Sequence, residues 1–178
     1  MDRISGLPAH PLVVHIPVAL LPLAAVGVVV LIARRAWYER YRWAVLVVGA
    51  IGTLGAILAA ASGESLESQI RTREGADAAR EIHEHAQAGD LARTLAIVFF
   101  VALAAYVVVP WFVDRRASER DTPKLVEVLR RSWVRPALSA LVALTALVSM
   151  VSIIDAGHSG ASKAWEEYRD TSAVSAGR

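Results

Sequence analysis

The sequence predicts an all-α integral membrane protein, a four-helix bundle with both termini on the outer side. Three observations carry that reading. Hydrophobic residues make up 55% of the 178-residue chain, above the roughly 45–50% apolar share of soluble domains. They are concentrated in the nearly charge-free runs Leu12–Ala33, Trp43–Ser62, Leu95–Val113 and Ala137–Ile154. At about 1.5 Å per helical residue each run is long enough to cross a hydrocarbon layer of about 30 Å. Lys and Arg, finally, favour two of the three connections. Four spans leave little chain for anything else, so residues 1–178 read as one transmembrane domain.

Orientation follows from those connections. The first carries Arg34, Arg35, Arg40 and Arg42 against Glu39. The third carries Arg115, Arg116, Arg120, Lys124, Arg130, Arg131 and Arg135. Basic short loops stay on the cytoplasmic side. Between them, Gly63–Asp90 is predominantly acidic, so that connection and both termini are expected outside. The net charge of +2 then reflects topology and contact with anionic lipid, and no nucleic-acid surface is implied. The segment Met1–Leu7 lacks the features of a cleavable signal, so the first run is expected to remain in the protein.

The first span opens with Leu7-Pro8-Ala9-His10-Pro11-Leu12-Val13-Val14-His15-Ile16-Pro17. Pro11 suits a first helical turn. Pro17 and Pro22 have no N–H for the carbonyls of Val13 and Val18, so this end is expected to be kinked or irregular. His15 falls about a turn inside the helix, and an ionisable residue there is a functional candidate, against the simpler reading of a neutral hydrogen-bonded imidazole.

The second span is ridged with small residues at three- and four-residue spacing: Gly49, Gly52, Gly55, Ala56, Ala59, Ala60 and Gly63. Such a face admits a neighbouring helix, or a flat cofactor, close to its backbone. After it, Ser65–Asp90 is rich in helix formers and predicts an outer helical segment leading into the third span. His83 and His85, two residues apart, point about 200° away from each other on a helix, so a single ion shared by both would need local unwinding. Their spacing also differs from the His-Glu-x-x-His of zinc proteases.

The fourth span carries a mild hydroxyl stripe, Ser139, Thr145, Ser149 and Ser152, expected to bond within its own helix or to a neighbour. It closes with Ile154-Asp155-Ala156-Gly157-His158. Gly157 predicts a left-handed cap that would hold His158 at the helix end, where the dipole favours a cation. Asp155 could orient a ring nitrogen from the second shell or join a proton relay; an interfacial Asp and His among headgroups is the plainer reading. Lys163–Arg178 then reads as a polar tail with Trp165 and Tyr168 as interface anchors.

Threaded this way, all five histidines fall on or beside the outer face. Imidazole is a common ligand of transition metals and haem iron. The chain has no cysteine, so disulfides, thiolate metal sites and covalent haem attachment through Cys-x-x-Cys-His are excluded for it. No nucleophile elbow, phosphate-binding loop, dinucleotide fingerprint or paired-carboxylate arrangement appears either.

The opening motif from Leu7 to Pro17, His85-Ala86 ahead of the third span, and Gly157-His158-Ser159-Gly160-Ala161 after the fourth together resemble an uncharacterised bacterial membrane family, domain of unknown function 2231. The resemblance covers nearly the whole chain. It implies that His10, His15, His85 and His158 are the motif histidines, with His83 additional, and that the protein sits in the bacterial cytoplasmic membrane. Where relatives place Asn shortly after the third-span histidine, this chain has Gly89. Some relatives are joined to redox modules such as Rieske-type domains, which associates the family with electron transfer and a redox partner.

Three function classes follow. One is a small redox protein in which His15, His85 and His158, supported by His10, hold haem b or a transition metal, with Asp155 and His83 behind the ligands. Another is a noncatalytic membrane subunit or assembly factor whose histidines are structural. The third is a small proton, ion or solute transporter with His15, Asp155 and His158 as a relay.

Overall fold

The computed structural model describes residues 3–4, 7–74, 76–116 and 124–176, with side chains described over 13–65, at 72, and over 86–116 and 124–158. A two-residue pairing of β1 (Arg3–Ile4) with β2 (Leu7–Pro8) precedes the helices. Then come α1 (Ala9–Ala33), α2 (Arg35–Glu74), α3 (Ala76–Arg116), the short α4 (Lys124–Leu129) and α5 (Val134–Ala176). The fold is the expected all-α membrane architecture. Among the described residues four helices contain apolar stretches able to cross a bilayer: 13–33, 35–65, 86–116 and 134–158. A helix satisfies its backbone polar groups internally, which hydrocarbon demands.

The long helices form a ring in the order α1, α2, α3, α5, each packed on its two neighbours. Phe99, Leu103 and Val107 of α3 are fully buried against Leu21 and Val28 of α1 and Val142 of α5. The outward faces carry Leu23, Val47, Leu54, Val101 and Leu144, as lipid requires of a surface with no water to avoid. The arginine-bearing ends of α1, α2, α3 and α5 share one end of the bundle, the basic end. The histidine-bearing ends share the other.

Several expected boundaries shift. The first connection is a single residue: the Arg34 amide donates to Val30 O at 2.9 Å, ending α1, and the Trp37 amide already donates to Arg34 O at 2.8 Å, starting α2. Arg35, Arg40 and Arg42 are therefore helical. The outer segment is helical as expected, but it forms the far ends of α2 and α3, which at 40 and 41 residues extend to about 60 Å each. Gly157 does not cap the fourth span. α5 runs through it for 43 residues to Ala176, and an added Cβ at Gly157 would stand 3.9 Å from Val18 Cγ2, so the glycine lies on the face that α5 turns to α1. The expected polar tail is helical as well. α1 likewise continues through Pro17 and Pro22.

Along the small-residue ridge of α2, Gly49, Gly52 and Gly55 are met by neighbouring helices, the first of the two uses expected of such a face. A Cβ at Gly55 would lie 2.5 Å from Ile16 Cγ2 and 3.0 Å from Pro17 Cδ; at Gly52, 3.2 Å from Leu20 Cβ; at Gly49, 2.7 Å from Leu103 Cδ2. The hydroxyl stripe divides. Ser139 Oγ donates to Arg135 O and Thr145 Oγ1 to Leu141 O, at 3.0 and 2.9 Å. Ser149, 1% exposed, has no hydrogen-bond partner for its Oγ.

Candidate functional site

At the histidine end, α1 and α5 meet where Val18 faces Gly157. His15 lies one turn before Val18 and His158 directly follows Gly157; both side chains are exposed, as is Asp155. The backbones of His10, His83 and His85 are helical, in α1 and α3, while their side chains lie outside the described residues. Among the described residues no three or more His, Asp or Glu side chains stand close enough to share an ion. His15 of α1 and His158 of α5 thus lie on neighbouring helices, at the end of the bundle where α3 begins with the segment that carries His85. Their donor set, imidazole nitrogen in an apolar bundle without thiolates, suits haem iron or a borderline metal.

The same end is tied together by polar contacts of another kind. Arg93 Nη1 of α3 reaches Glu64 Oε1 of α2 at 3.2 Å, and Arg93 Nη2 reaches Asp90 Oδ1 at 3.2 Å. Deeper in, the buried Thr53 Oγ1 donates to Ala96 O at 3.3 Å. These bonds link α2 to α3 at this end.

The basic end holds an arrangement that sequence reasoning missed. Pro110 lies inside α3 and has no N–H to give Tyr106 O, four residues earlier. The buried Tyr38 hydroxyl of α2 supplies that bond at 3.0 Å. The two rings meet edge to face, with centroids 5.4 Å apart and planes at 81°, within the favoured range for aromatic pairs. Guanidinium groups cover the Tyr38 ring, Arg42 at 5.3 Å and Arg135 at 5.8 Å from its centroid. Arg42 also pairs with Glu39, and its Nε is buried without a hydrogen-bond partner. Beside this pair opens a cavity of about 160 Å³ where α1, α2, α3 and α5 converge, its polar lining being Arg35, Tyr38, Tyr106, Arg135 and Ser139. The sequence signal was a proline within an apolar run four residues after a tyrosine; what it could not supply was the partner, 68 positions away.

No curated protein and no solved structure matches this chain. A family model described as predicted membrane protein (DUF2231) matches residues 6–172. With a lipid-facing four-helix ring and a match over nearly its whole length, the chain belongs to that family of membrane proteins.

Proposed function

We propose that the protein is a small membrane redox subunit whose histidine rim holds haem b or a transition metal. The observation that supports this reading best is the Val18–Gly157 contact, which sets His15 and His158 on adjacent helices at one level of the bundle. His15, His85 and His158 are the ligands in this reading, with His10 flanking them and Asp155 and His83 available to orient a ring nitrogen. Such a group, when bound, supplies one-electron chemistry. The chain's part is to present imidazole nitrogens, offer no competing thiolate, and keep the ligand-bearing helices in fixed register. Because α1 fills the glycine ridge of α2, the group would seat at the rim between α1, α3 and α5 and would stay within reach of a redox partner. We place this rim on the outer side of a bacterial cytoplasmic membrane, following the charge bias of the connections.

A second reading, a noncatalytic membrane subunit or assembly factor, is favoured by the same filled ridge, since the small residues then serve packing alone. Transport through the bundle has less to recommend it, because Phe99, Leu103 and Val142 occupy the middle.

Visible spectra of the detergent-purified protein, oxidised and reduced, from cells replete in haem and metals, separate these readings. A Soret band with a reduced-state α band, weakened or shifted in His15→Ala and His158→Ala, is the expected result; a nonhaem metal would register by elemental analysis and fall with the same substitutions. Protein carrying neither would overturn the redox reading and leave the subunit.

A further inference from the structure

We infer that the basic-end cavity is a binding site for the phosphate of an anionic phospholipid. Two guanidinium-bearing residues, Arg35 from the start of α2 and Arg135 from the start of α5, line one cavity although they are far apart in sequence, and none of its described lining residues is acidic. A concentration of fixed positive charge without a carboxylate calls for an anion, and the planar fork of Arg matches phosphate oxygens. The neutral lining adds order. Tyr106 and Ser139 share the lining, and Ser139 Oγ donates to the carbonyl of Arg135 at 3.0 Å. This pins the backbone that carries the guanidinium.

Depth identifies the source of the phosphate. The cavity lies where the apolar stretches of α1 and α5 end, at residues 33 and 134. Around it stand exposed Trp37 and Trp133, and Trp43 edge-on to Trp111 at 5.8 Å, with Arg115 stacked 4.6 Å from the Trp111 centroid. Aromatic rings of this kind mark the headgroup level. The remaining lining, Leu31, Ile32, Pro110 and Pro136, is apolar and suits the glycerol end of a lipid more than a fully hydrated ion. Ile32 is itself exposed beside the cavity and offers an apolar edge to an acyl chain.

The test uses the full-length protein in a neutral detergent, with phosphatidylglycerol or phosphatidylcholine added and bound lipid counted by native mass spectrometry. Phosphatidylglycerol should be retained about tenfold more than phosphatidylcholine, a preference of the size that two arginines near a membrane surface can give. Arg35→Gln combined with Arg135→Gln should abolish the preference, while Arg130→Gln with Arg131→Gln, which removes equal charge outside the cavity, should keep it. Arg35→Gln alone, on a side chain outside the ring contacts, should lower the preference several-fold and provides the readout if the double variant misfolds. Three results would overturn the inference: no preference in the wild-type protein, equal loss in both double variants, or displacement of the lipid by millimolar glycerol phosphate, which would assign the cavity to a soluble anion.

Discussion

Replacing Tyr38 with Phe removes one oxygen and keeps the ring that packs on Tyr106, so it isolates a single hydrogen bond. In the native protein Tyr106 O has no helical N–H opposite it at position 110 and receives the Tyr38 hydroxyl at 3.0 Å. Without that hydroxyl a buried acceptor is left unpaired. An orphaned buried group costs about 1–3 kcal/mol, whereas polar bonds between membrane helices average about 0.6 kcal/mol with a maximum near 1.7. Taken together, these give about 1–1.5 kcal/mol for Tyr38→Phe. Pro110→Ala changes the account, because alanine returns the N–H and lets Tyr106 O bond within α3. In that background Tyr38→Phe should cost no more than about 0.5 kcal/mol, a coupling of about 1 kcal/mol in a double-mutant cycle. Reversible unfolding in mixed micelles, followed by far-ultraviolet circular dichroism, gives all four free energies. Equal costs of Tyr38→Phe with and without Pro110 would refute the pairing of hydroxyl and proline-freed carbonyl.

The same assay reads the glycine contacts. Gly55→Ala places a methyl 2.5 Å from Ile16 Cγ2 and 2.9 Å from Ile16 Cβ; overpacking of about 1–3 kcal/mol against a helix-propensity gain of about 1 should leave a net loss. Gly52→Leu should disturb the bundle more than Val47→Leu, whose side chain is 55% exposed, and equal stabilities would contradict the close approach of α1 and α2. Gly89 has nothing within 4 Å of an added Cβ, so Gly89→Ala should stabilise by about 0.5–1 kcal/mol; a loss there would point to a contact at this position. Ser149→Ala removes an unpartnered buried hydroxyl and should stabilise by about 1 kcal/mol, while Thr53→Val, which breaks the bond to Ala96 O, should destabilise by about 0.5–1 kcal/mol. For orientation, an impermeant thiol reagent should label Ser65→Cys in intact cells and spare Arg120→Cys, and the reverse pattern would invert the assignment.

The spans were legible because hydrocarbon accepts so few residue types that composition alone marks them. Their ends were not. A polar helix leaving the membrane has no hydropathic signature, so the histidine-end parts of α2, α3 and α5 read as a separate segment or a tail. Gly157 was ambiguous for a related reason: a glycine after an apolar run serves equally as a cap or as room for a neighbouring helix, and only the position of Val18 decides. The four arginines after α1 looked like a loop since charge suggests solvent, yet Arg and Ala are good helix formers and a one-residue turn at Arg34 suffices. At the candidate site, the end shared by the histidines followed from span count. Which imidazoles approach one another depends on how the helices cross, which periodicity does not encode. The Tyr38–Tyr106 pair was hidden twice, by sequence distance and because Pro110 is one more apolar residue on any hydropathy scale.

Because α5 passes unbroken through Gly157, His158 sits partway along a stiff rod and not at its tip. From His158 to Ala176 the rod continues for about 27 Å at 1.5 Å per residue, beyond the level where α1 begins. Leverage follows from that shape. A tilt of about 5° imposed at the far end by a docking protein corresponds to a sideways movement on the order of 2 Å over that arm. With no break in the helix to absorb it, the movement is passed along α5 to the turn at Gly157, which faces Val18 of α1. His158 stands in that turn, so mechanical load on the distal helix would reach the backbone that carries its imidazole.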